Sequence, residues 1–193
     1  GGKLNDVVLA LSSGMLRRHL EKTKALPDRP LRAAVPISLR EAGNREANNQ
    51  VFGMICSLAS DIADPRARLQ KIIEESTKSK GMADPFKPIV PKLTQFSAIG
   101  APILIQILSL LYSRTNLADI MPTPANVTIS NVPGSRKPLY VAGAELQHIF
   151  PVSIAAHGLA LNITVQGYRD QLDFGLIAGA NVLPELRSLA NML

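Results

Sequence analysis

Cysteine and aromatic side chains are scarce in this sequence, and each shortage excludes a class of protein. The single cysteine, Cys56, cannot form a disulfide within the chain, which argues against a small secreted domain held together by disulfides. Cys56 lies in an apolar run, which predicts a small buried side chain rather than a nucleophile. Tryptophan is absent and aromatic residues make up 4%, so the core must be mostly aliphatic. We expect a reducing, cytoplasmic environment.

Concentrated charge and an export signal are also missing. The net charge is +6, but the basic residues are spread along the chain, and the densest stretch, residues 17–28, contains acidic residues too. No basic run is interleaved with aromatic residues and no zinc-finger spacing occurs, so we expect no nucleic-acid partner. The chain opens with Gly-Gly-Lys, shows no signal peptide, and begins a helical pattern at once. Such a start is what we expect of a fragment or a processed half.

The hydrophobic content of 46%, against 19% charged residues, predicts a folded domain with a substantial core. In the first half, the spacing of apolar residues predicts two helices and two strands. We place a helix at about 6–20 with Asn5 and Asp6 at its N-cap, strands at 32–39 and 51–58, and a helix that Asp61 or Asp64 caps and that fades around 79–81. The polar stretch 41–50 is predicted to be a loop, and the proline-rich stretch 84–92 a turn.

In the second half, short β-branched or alternating segments predict strands. We place them at 127–130, within an extended segment at 139–152, and in a hairpin of 159–167 with 172–176. Asn131 to Gly134 is predicted to be a sharp turn, and Asn181 to cap a last helix. Three or four helices and about six strands in mixed order predict the α/β class, with helices packed on a mixed sheet.

One stretch, Leu93 to Ser113, contains no charged residue. Its length raises the question of a membrane-spanning helix, but Gly100 and Pro102 interrupt it. Three interpretations stay open: a helix buried in the core, a helix that lines an apolar channel or lies on a membrane surface, and a true span. Under the second interpretation, Leu104 and Leu108 are the candidates for lipid contact.

Three segments resemble a known family when they are taken together. They are LNDVVLAL at 4–11, ISNVPG at 129–134, and the region 151–176, which includes HGLALNIT and LDFGL. In this order and spacing they resemble the C-terminal half of bacterial wax ester synthase/diacylglycerol acyltransferases. The resemblance runs from about residue 3 to the end, so we expect residues 1–193 to form one C-terminal acyltransferase lobe.

The resemblance implies a fold similar to chloramphenicol acetyltransferase and to condensation domains, in which two α/β lobes face each other across a tunnel. The family's catalytic base is a histidine in a His-His-x-x-x-Asp-Gly motif of the N-terminal lobe. The three histidines here, His19, His148 and His157, are isolated, and none is followed by Asp-Gly. We therefore expect no catalytic residue in this chain, and a general base on an N-terminal lobe that is attached covalently or is a separate chain.

The resemblance also implies supporting and substrate-binding residues. Asn5 and Asp6 match the family's Asn-Asp motif, which supports the active site, although either residue could be only an N-cap. The family's Asn-Val-Pro-Gly turn could bind an oxyanion or the CoA arm, or only fix sheet geometry, and its matching residues are Asn131, Val132, Pro133 and Gly134.

Three further polar residues have alternative interpretations. Asn162 interrupts an apolar strand, so it either faces the tunnel and binds substrate or is hydrogen-bonded in the core. His157 is expected to be a structural donor rather than a catalytic group. Asp173, in a segment shared with condensation domains, is expected to hold sheet and loop geometry.

The function implied by the resemblance is transfer of a fatty acyl group from acyl-CoA to a long-chain alcohol or diacylglycerol. Acyl-CoA is a substrate, and we expect no cofactor and no metal. The expected location is the cytoplasmic face of the inner membrane or a lipid inclusion. Two alternatives stay open: a condensation-type acyltransferase of the same superfamily, and a non-catalytic lipid-binding module.

Overall fold

A mixed β-sheet forms the centre of the chain. The computed structural model describes residues 1–38, 51–83, 110, 123–156 and 158–193. The strands are β1 (Arg32–Ser38), β2 (Val51–Ser57), β3 (Val127–Val132), β4 (Tyr140–Val141), β5 (Ala144–Glu145), β6 (Leu161–Tyr168) and β7 (Gln171–Ala178). The described helices are α1 (Leu4–Lys22), α2 (Pro65–Ala83) and α3 (Leu186–Ala190). The predicted α/β class is confirmed.

The five-stranded sheet has the order β2-β1-β3-β6-β7, and β4 and β5 form a separate two-stranded sheet. β1 pairs antiparallel with β2 and parallel with β3, and β3 pairs parallel with β6. β6 and β7 form the predicted hairpin, in which Tyr168 pairs with Gln171 and Arg169 adopts a left-handed φ of 54° in the turn. The carboxyl ends of β1, β3 and β6 therefore lie at one edge of the sheet.

Helix α1 packs on one face of this sheet. Of the apolar residues whose spacing predicts the helix, Val8 and Met15 are buried, whereas Leu4, Val7 and Leu11 are exposed. The core on this side consists of alternate residues of the strands and residues from the helices, among them Val8, Leu9, Met15, Ile72, Val35, Ile129, Ile163, Val165 and Leu189. Each such side chain stabilises the fold by about 1.5–3 kcal/mol when buried.

Cys56 belongs to this core, as predicted. Its side chain is fully buried on β2, opposite Ala33 of β1. Burial, reinforced by the negative charges of Glu75 and Asp6, raises the pKa of the Cys56 thiol to about 11. A thiol with that pKa is protonated at neutral pH and is a poor nucleophile, so the side chain acts as a small hydrophobic residue.

Helix α2 settles the choice between its two predicted caps. The Asp64 carboxylate accepts the backbone N–H of Ala67 at 2.8 Å, so Asp64 caps the helix and Asp61 does not. The helix runs to Ala83 instead of fading at 79–81. Ion pairs one turn apart, such as Lys71 with Glu75 at 3.4 Å, support its exposed face.

The last helix is shorter than predicted. Asn181 does not cap it, because α3 begins at Leu186 with Glu185 as its N-cap. The backbone N–H groups of Val182 and Leu183 both donate to the Gly179 carbonyl, so this part of the chain forms turns before the helix starts.

Several predicted elements lie outside the described residues. They are the loop 41–50, the turn 84–92 and, apart from Leu110, the uncharged stretch 93–113. Within the part of the chain that the structure describes, the predicted extended segment 139–152 forms the two short strands β4 and β5, and no further strand pairing is seen before Ala156.

Candidate functional site

Asp6 places a buried carboxylate where α1 meets α2. The residue is 3% exposed. Its Oδ2 atom accepts the backbone N–H of Lys3 at 2.8 Å, and its Oδ1 atom accepts the Ser76 hydroxyl at 2.6 Å. The ammonium group of Lys80 lies 4.0 Å from Oδ1. The carboxylate thus joins the start of one helix to the side of another, with a cation close enough to offset its charge.

The predicted capping positions of Asn5 and Asp6 are wrong by two and three residues. Helix α1 begins at Leu4, so Lys3 is the N-cap and Asp6 is the third helical residue. Asp6 still satisfies a free donor at the helix start, because it accepts the N–H of the cap residue. Asn5 is half-buried in the first turn.

The segment Asn131 to Gly134 is not the predicted sharp turn. Asn131 and Val132 are the last residues of β3 and pair with Val165 and Gln166 of β6. The chain then continues alongside β6, because the backbone N–H of Arg169 donates to the Ser135 carbonyl at 2.8 Å. Val132, Pro133 and Gly134 are exposed at the carboxyl edge of the parallel strands, and Asn131 is half-buried. Loop ends at this edge are where ligands bind in many α/β proteins.

Gly134 is required by a close approach of two backbones. A Cβ atom added at this position would lie 1.8 Å from the carbonyl oxygen of Gly167 and 2.7 Å from the Gln166 side-chain nitrogen. Because the nearest obstacle is backbone, no side chain can move to make room. The glycine therefore fixes the end of β3 against the β6–β7 hairpin, whatever else the segment binds.

Asn162 lies in β6 with its side chain on the face of the sheet opposite the helix-covered core. It is 7% exposed, and its Oδ1 atom accepts the Thr164 hydroxyl at 2.8 Å. The expectation that a buried Asn162 must be hydrogen-bonded is therefore confirmed. Alternation along the strand places Gln166 on the same face.

Pairing with β3 extends this polar face. Thr128 pairs with Asn162, and Ser130 pairs with Thr164, so their side chains lie on the same side of the sheet. We call Thr128, Ser130, Asn162, Thr164 and Gln166 the polar face. Sequence analysis singled out Asn162 alone, although the alternation Asn-Ile-Thr-Val-Gln in β6 is a signal that could have identified the rest.

The predicted substrate-binding residues do not come together at one point. Asn131 pairs with Val165 and so shares the core face, whereas Asn162 lies on the polar face. Asn162 is level with Thr128, three residues before Asn131, which separates the two amides by about 10 Å along the strand as well. They cannot both contact the same small group of a substrate.

Asp173 holds loop geometry, as predicted. Its Oδ2 atom accepts the backbone N–H of Ile149 at 2.8 Å, and its Oδ1 atom lies 2.9 Å from Nδ1 of His148. Burial acts to raise the pKa of the Asp173 carboxyl, but the Ile149 amide and the His148 ring outweigh burial and hold it below its usual value. This pairing gives His148, to which the sequence assigned no role, a partner 25 residues away.

Tyr168 is a second anchor that the sequence did not reveal. It is 1% exposed at the end of β6. Its hydroxyl donates to the Leu146 carbonyl and accepts the backbone N–H of Leu139, at 2.9 and 3.0 Å. Both ends of the β4–β5 hairpin are therefore tied to the main sheet by one side chain.

An apolar cavity of about 390 Å³ lies at the opposite edge of the sheet, where β3 and β6 begin. Most of its lining is aliphatic, including Leu16, Leu20, Leu31, Leu161, Leu183 and Leu189, and His19 and Asn126 add polar groups. A cavity of this size and lining can hold a short alkyl chain. This cavity could not be predicted from local sequence patterns, because its walls come from four separate parts of the chain.

The candidates for lipid contact, Leu104 and Leu108, and the expected structural donor His157 lie outside the described residues. Among the helices in the described ranges, none is long and apolar enough to cross a membrane. The prediction for the uncharged stretch 93–113 stays open.

Comparisons with known proteins agree with the fold. A putative diacylglycerol O-acyltransferase of Mycobacterium tuberculosis is 37% identical over all 193 residues, which are 42% of its length. The O-acyltransferase WSD of Acinetobacter baylyi is 38% identical over 195 aligned residues. The match covers 98% of this chain and 40% of the length of that protein. The solved wax ester synthase/diacylglycerol acyltransferase from Marinobacter aquaeolei VT8 matches with a TM-score of 0.70 and 32% identity, covering 100% of this chain and 41% of that one.

The mixed sheet and its helices therefore match one part of that solved acyltransferase. The WS/DGAT C-terminal domain family matches residues 47–193. The chain belongs to this family, as its sequence motifs predict, and it spans about two fifths of the length of the curated relatives that it matches.

Proposed function

We propose that this chain is the C-terminal lobe of an O-acyltransferase that moves a fatty acyl group from acyl-CoA to a long-chain alcohol or to diacylglycerol. The observation that carries the proposal is similarity along the whole chain, in sequence and in structure, to proteins named as diacylglycerol acyltransferases and wax ester synthases. Because the chain spans about two fifths of those proteins, an N-terminal lobe would complete the enzyme.

The reaction requires a base, an oxyanion site and a dry path for two alkyl chains. The alcohol oxygen attacks the thioester carbonyl, a base takes the hydroxyl proton, and the CoA thiolate leaves and is protonated. We assign the base to a histidine of the N-terminal lobe, because none of the histidines here precedes Asp-Gly. This lobe would supply hydrogen-bond donors and apolar walls.

Three groups of residues support this assignment of roles to the two lobes. Asp6 is a buried carboxylate that orients the start of α1, and with Asn5 it would brace the active site. The exposed end of β3, from Asn131 to Gly134, would contact the CoA arm or the oxyanion. Asn162 and the polar face would contact polar parts of the substrates from the other side of the sheet. The exposed end of β3 and the polar face would be separate subsites, because the sheet lies between them.

We place the enzyme at the cytoplasmic face of the inner membrane or at lipid inclusions, where its apolar substrates and products accumulate. Leu104 and Leu108, within the uncharged stretch, are the residues that we assign to lipid contact. Substitution of either leucine by aspartate would release the enzyme from vesicles if it faces lipid, and would unfold the protein if it lies in the core. Vesicle flotation and a thermal melt of the same variants separate these outcomes.

The proposal is tested by producing this chain together with the half that its gene encodes upstream. Release of free CoA thiol is followed with palmitoyl-CoA and either hexadecanol or dioleoylglycerol. We expect turnover from the pair, background release from this chain alone, and loss of turnover when the first or second histidine of the upstream motif is replaced by alanine.

Other outcomes would replace the proposal. Acyl-CoA binding by the pair without turnover would favour a non-catalytic lipid-binding module. Preference for an acyl carrier protein over acyl-CoA in a competition assay would favour a condensation-type acyltransferase. Full turnover by this chain alone would contradict the assignment of the base to another lobe.

A further inference from the structure

Two arginine side chains converge above Gly14, where helix α1 packs against α2. Gly14 is buried within α1. A Cβ atom added to it would lie 3.0 Å from Nη2 of Arg68, which belongs to α2, and 3.7 Å from Nη1 of Arg18, which belongs to α1. The absence of a side chain at Gly14 therefore lets two positively charged groups from different helices face the same small space. We call Arg18 and Arg68 the arginine pair.

One edge of the Arg68 guanidinium group is held in the protein without a partner. The residue is 5% exposed, and its Nη1 atom donates to the carbonyls of Ile62 and Ala63 at 3.0 and 3.2 Å. Within the described part of the chain, its buried Nε atom has no hydrogen-bond partner, and its Nη2 atom makes no hydrogen bond either. Buried polar atoms nearly always have a partner. The Nε–Nη2 edge is one with which a guanidinium group can donate to two oxygen atoms of the same anion.

The positive charge of the arginine pair is not balanced by the described residues around it. Burial, reinforced by the charges of Arg17 and Arg18, lowers the pKa of the Arg68 guanidinium group. The carboxylates that act against this shift are engaged elsewhere, because Glu21 pairs with Arg17 at 2.6 Å and Asp64 caps α2. Among the described residues, neither member of the pair forms an ion pair. Since a buried charge is normally paired, this position favours an anionic ligand.

We propose that the arginine pair binds a phosphate group. Arg68 would donate from Nε and Nη2 to two of its oxygen atoms. Arg18 would donate from Nη1 to a third, since its Nη2 atom already donates to the Met192 carbonyl. The planar guanidinium group matches phosphate oxygens in spacing and charge. A carboxylate has two oxygen atoms and a single charge, which suits one guanidinium group, whereas a phosphate group offers three oxygen atoms and nearly two charges to a pair.

The arginine pair lies away from the subsites assigned to acyl transfer. Arg17, next to Arg18 in α1, donates to the carbonyl of Ser60 at 2.6 Å. Ser60 follows β2, whose last residue, Ser57, pairs with Arg32 at the start of β1. The pair therefore lies toward the edge of the sheet where the parallel strands begin, opposite the exposed end of β3. The phosphate group would belong to a ligand bound outside those subsites, and the inference does not depend on the proposed reaction.

Titration of the chain with inorganic phosphate tests the site. The Nε–H signals of arginine in a nitrogen–proton correlation spectrum report on each guanidinium group separately. We expect the Arg68 signal to shift with added phosphate and to reach saturation. Sodium chloride at the same ionic strength should not reproduce the shift, because the bound phosphate group is held by directed hydrogen bonds as well as by charge.

Two variants remove the site by different routes. Arg18→Gln removes the exposed member of the pair and should weaken phosphate binding by about tenfold or more, as expected for a lost hydrogen bond between charged groups. Gly14→Ala keeps both charges but adds a methyl group between them, and should weaken binding by a similar factor while favouring the helix. Arg66→Gln is the matched control, because it removes one charge from an exposed position of α2, and it should change the affinity by less than about twofold.

The results distinguish a phosphate site from a purely structural role of Arg68. A thermal melt without phosphate checks that each variant folds, and if one melts early the other carries the comparison. The titration of the unchanged chain needs no variant. An Arg68 signal that does not respond to phosphate, or that responds equally to chloride, would overturn the inference. Equal phosphate affinities of Arg18→Gln and Arg66→Gln would overturn it too.

Vesicle flotation then identifies the source of the phosphate group. Vesicles of phosphatidylcholine with and without phosphatidic acid are compared for Arg18→Gln and Arg66→Gln. Weaker flotation of Arg18→Gln on the vesicles with phosphatidic acid would assign the phosphate group to a lipid headgroup. Equal flotation of the two variants would assign it to a soluble phosphorylated molecule. Either result, after a positive titration, supports the site.

Discussion

The two faces of strand β6 show how one stretch of sequence serves two purposes. On one face, Ile163 and Val165 are fully buried beneath the helices. On the other, Asn162 and Thr164 are each 7% exposed and hydrogen-bonded to each other. The first face stabilises the lobe by removing apolar area from water, whereas burying polar groups on the second gains little stability. The contrast indicates that the apolar face determines the fold, whereas residues that contact substrate are to be sought on the polar face.

The largest effect that we predict is on the apolar face. Ile163→Ala should lower the free energy of unfolding by about 3 kcal/mol, because it leaves a cavity in a closely packed core. Urea denaturation of the isolated chain measures this loss. Thr164→Ser, on the opposite face of the same strand, keeps its hydroxyl and should cost less than about 1 kcal/mol. Equal losses for the two variants would contradict the distinction between the faces.

A smaller effect tests the hydrogen bond between Ser76 of α2 and Asp6 of α1. Ser76→Ala removes the hydroxyl that donates to the buried Asp6 carboxylate, and should cost about 1–3 kcal/mol. Thr77→Ala is the matched control, since the Thr77 hydroxyl only returns to the Ile73 carbonyl on the exposed side of the helix. It should stay within about 0.5 kcal/mol of the unchanged protein in the same thermal melt. A neutral Ser76→Ala would mean that Asp6 is satisfied by other donors.

The polar face should affect turnover more than stability. Asn162→Ala removes the acceptor of the Thr164 hydroxyl and should cost about 1 kcal/mol of stability, but it should lower kcat/KM of the completed enzyme by about tenfold or more. Ile129→Val, in the core face of β3, should cost a similar 0.5–1.5 kcal/mol with turnover unchanged. If both variants lose activity in proportion to stability, the polar face has no part in the reaction.

The smallest effect is a dependence on acid pH at the edge of the sheet. The folded-state pKa of Asp173 lies below its ordinary value, so the carboxylate stabilises the folded state above that ordinary value, about 3.8. This stability is lost as the pH falls through the lower, folded-state pKa. We therefore expect the melting-temperature advantage over Asp173→Asn to shrink below pH 4.

His148→Ala provides the control for this pH dependence. It removes one of the groups that lower the pKa of Asp173 and leaves the Ile149 amide in place, so it should reduce the acid sensitivity without abolishing it. An advantage over Asp173→Asn that is unchanged down to pH 2 would contradict the role of the carboxylate.

Elements with a strong local pattern could be predicted from the sequence. Helix α1 and the β6–β7 hairpin follow from apolar spacing, and Asp173 was recognised as a residue that holds a loop. Boundaries were less certain, because Asn131 and Val132 look like a turn before Pro133 and Gly134 but are held in β3 by pairing with β6. At these two residues, pairing with the neighbouring strand β6 overrides the local preference for a turn.

Contacts between distant residues could not be predicted. The Ser76 hydroxyl reaches Asp6 across 70 residues, and Tyr168 holds a hairpin that precedes it by more than twenty. Neither contact produces a recognisable pattern in the nearby sequence, because each depends on how distant segments pack together in the tertiary structure. The same holds for the exposure of Phe150, Val152 and Ile154, whose alternation looks like that of an ordinary strand.

The sequence by itself determined the family, the fold class and the absence of a His-His-x-x-x-Asp-Gly motif, because these depend on residue types and their spacing. Only the tertiary structure decided which polar residues share a face. It separated Asn131 from Asn162 and joined Asp6 to Ser76. The physical reason is that the side of the sheet on which a side chain lies is set by strand register, which is established between segments far apart in the chain.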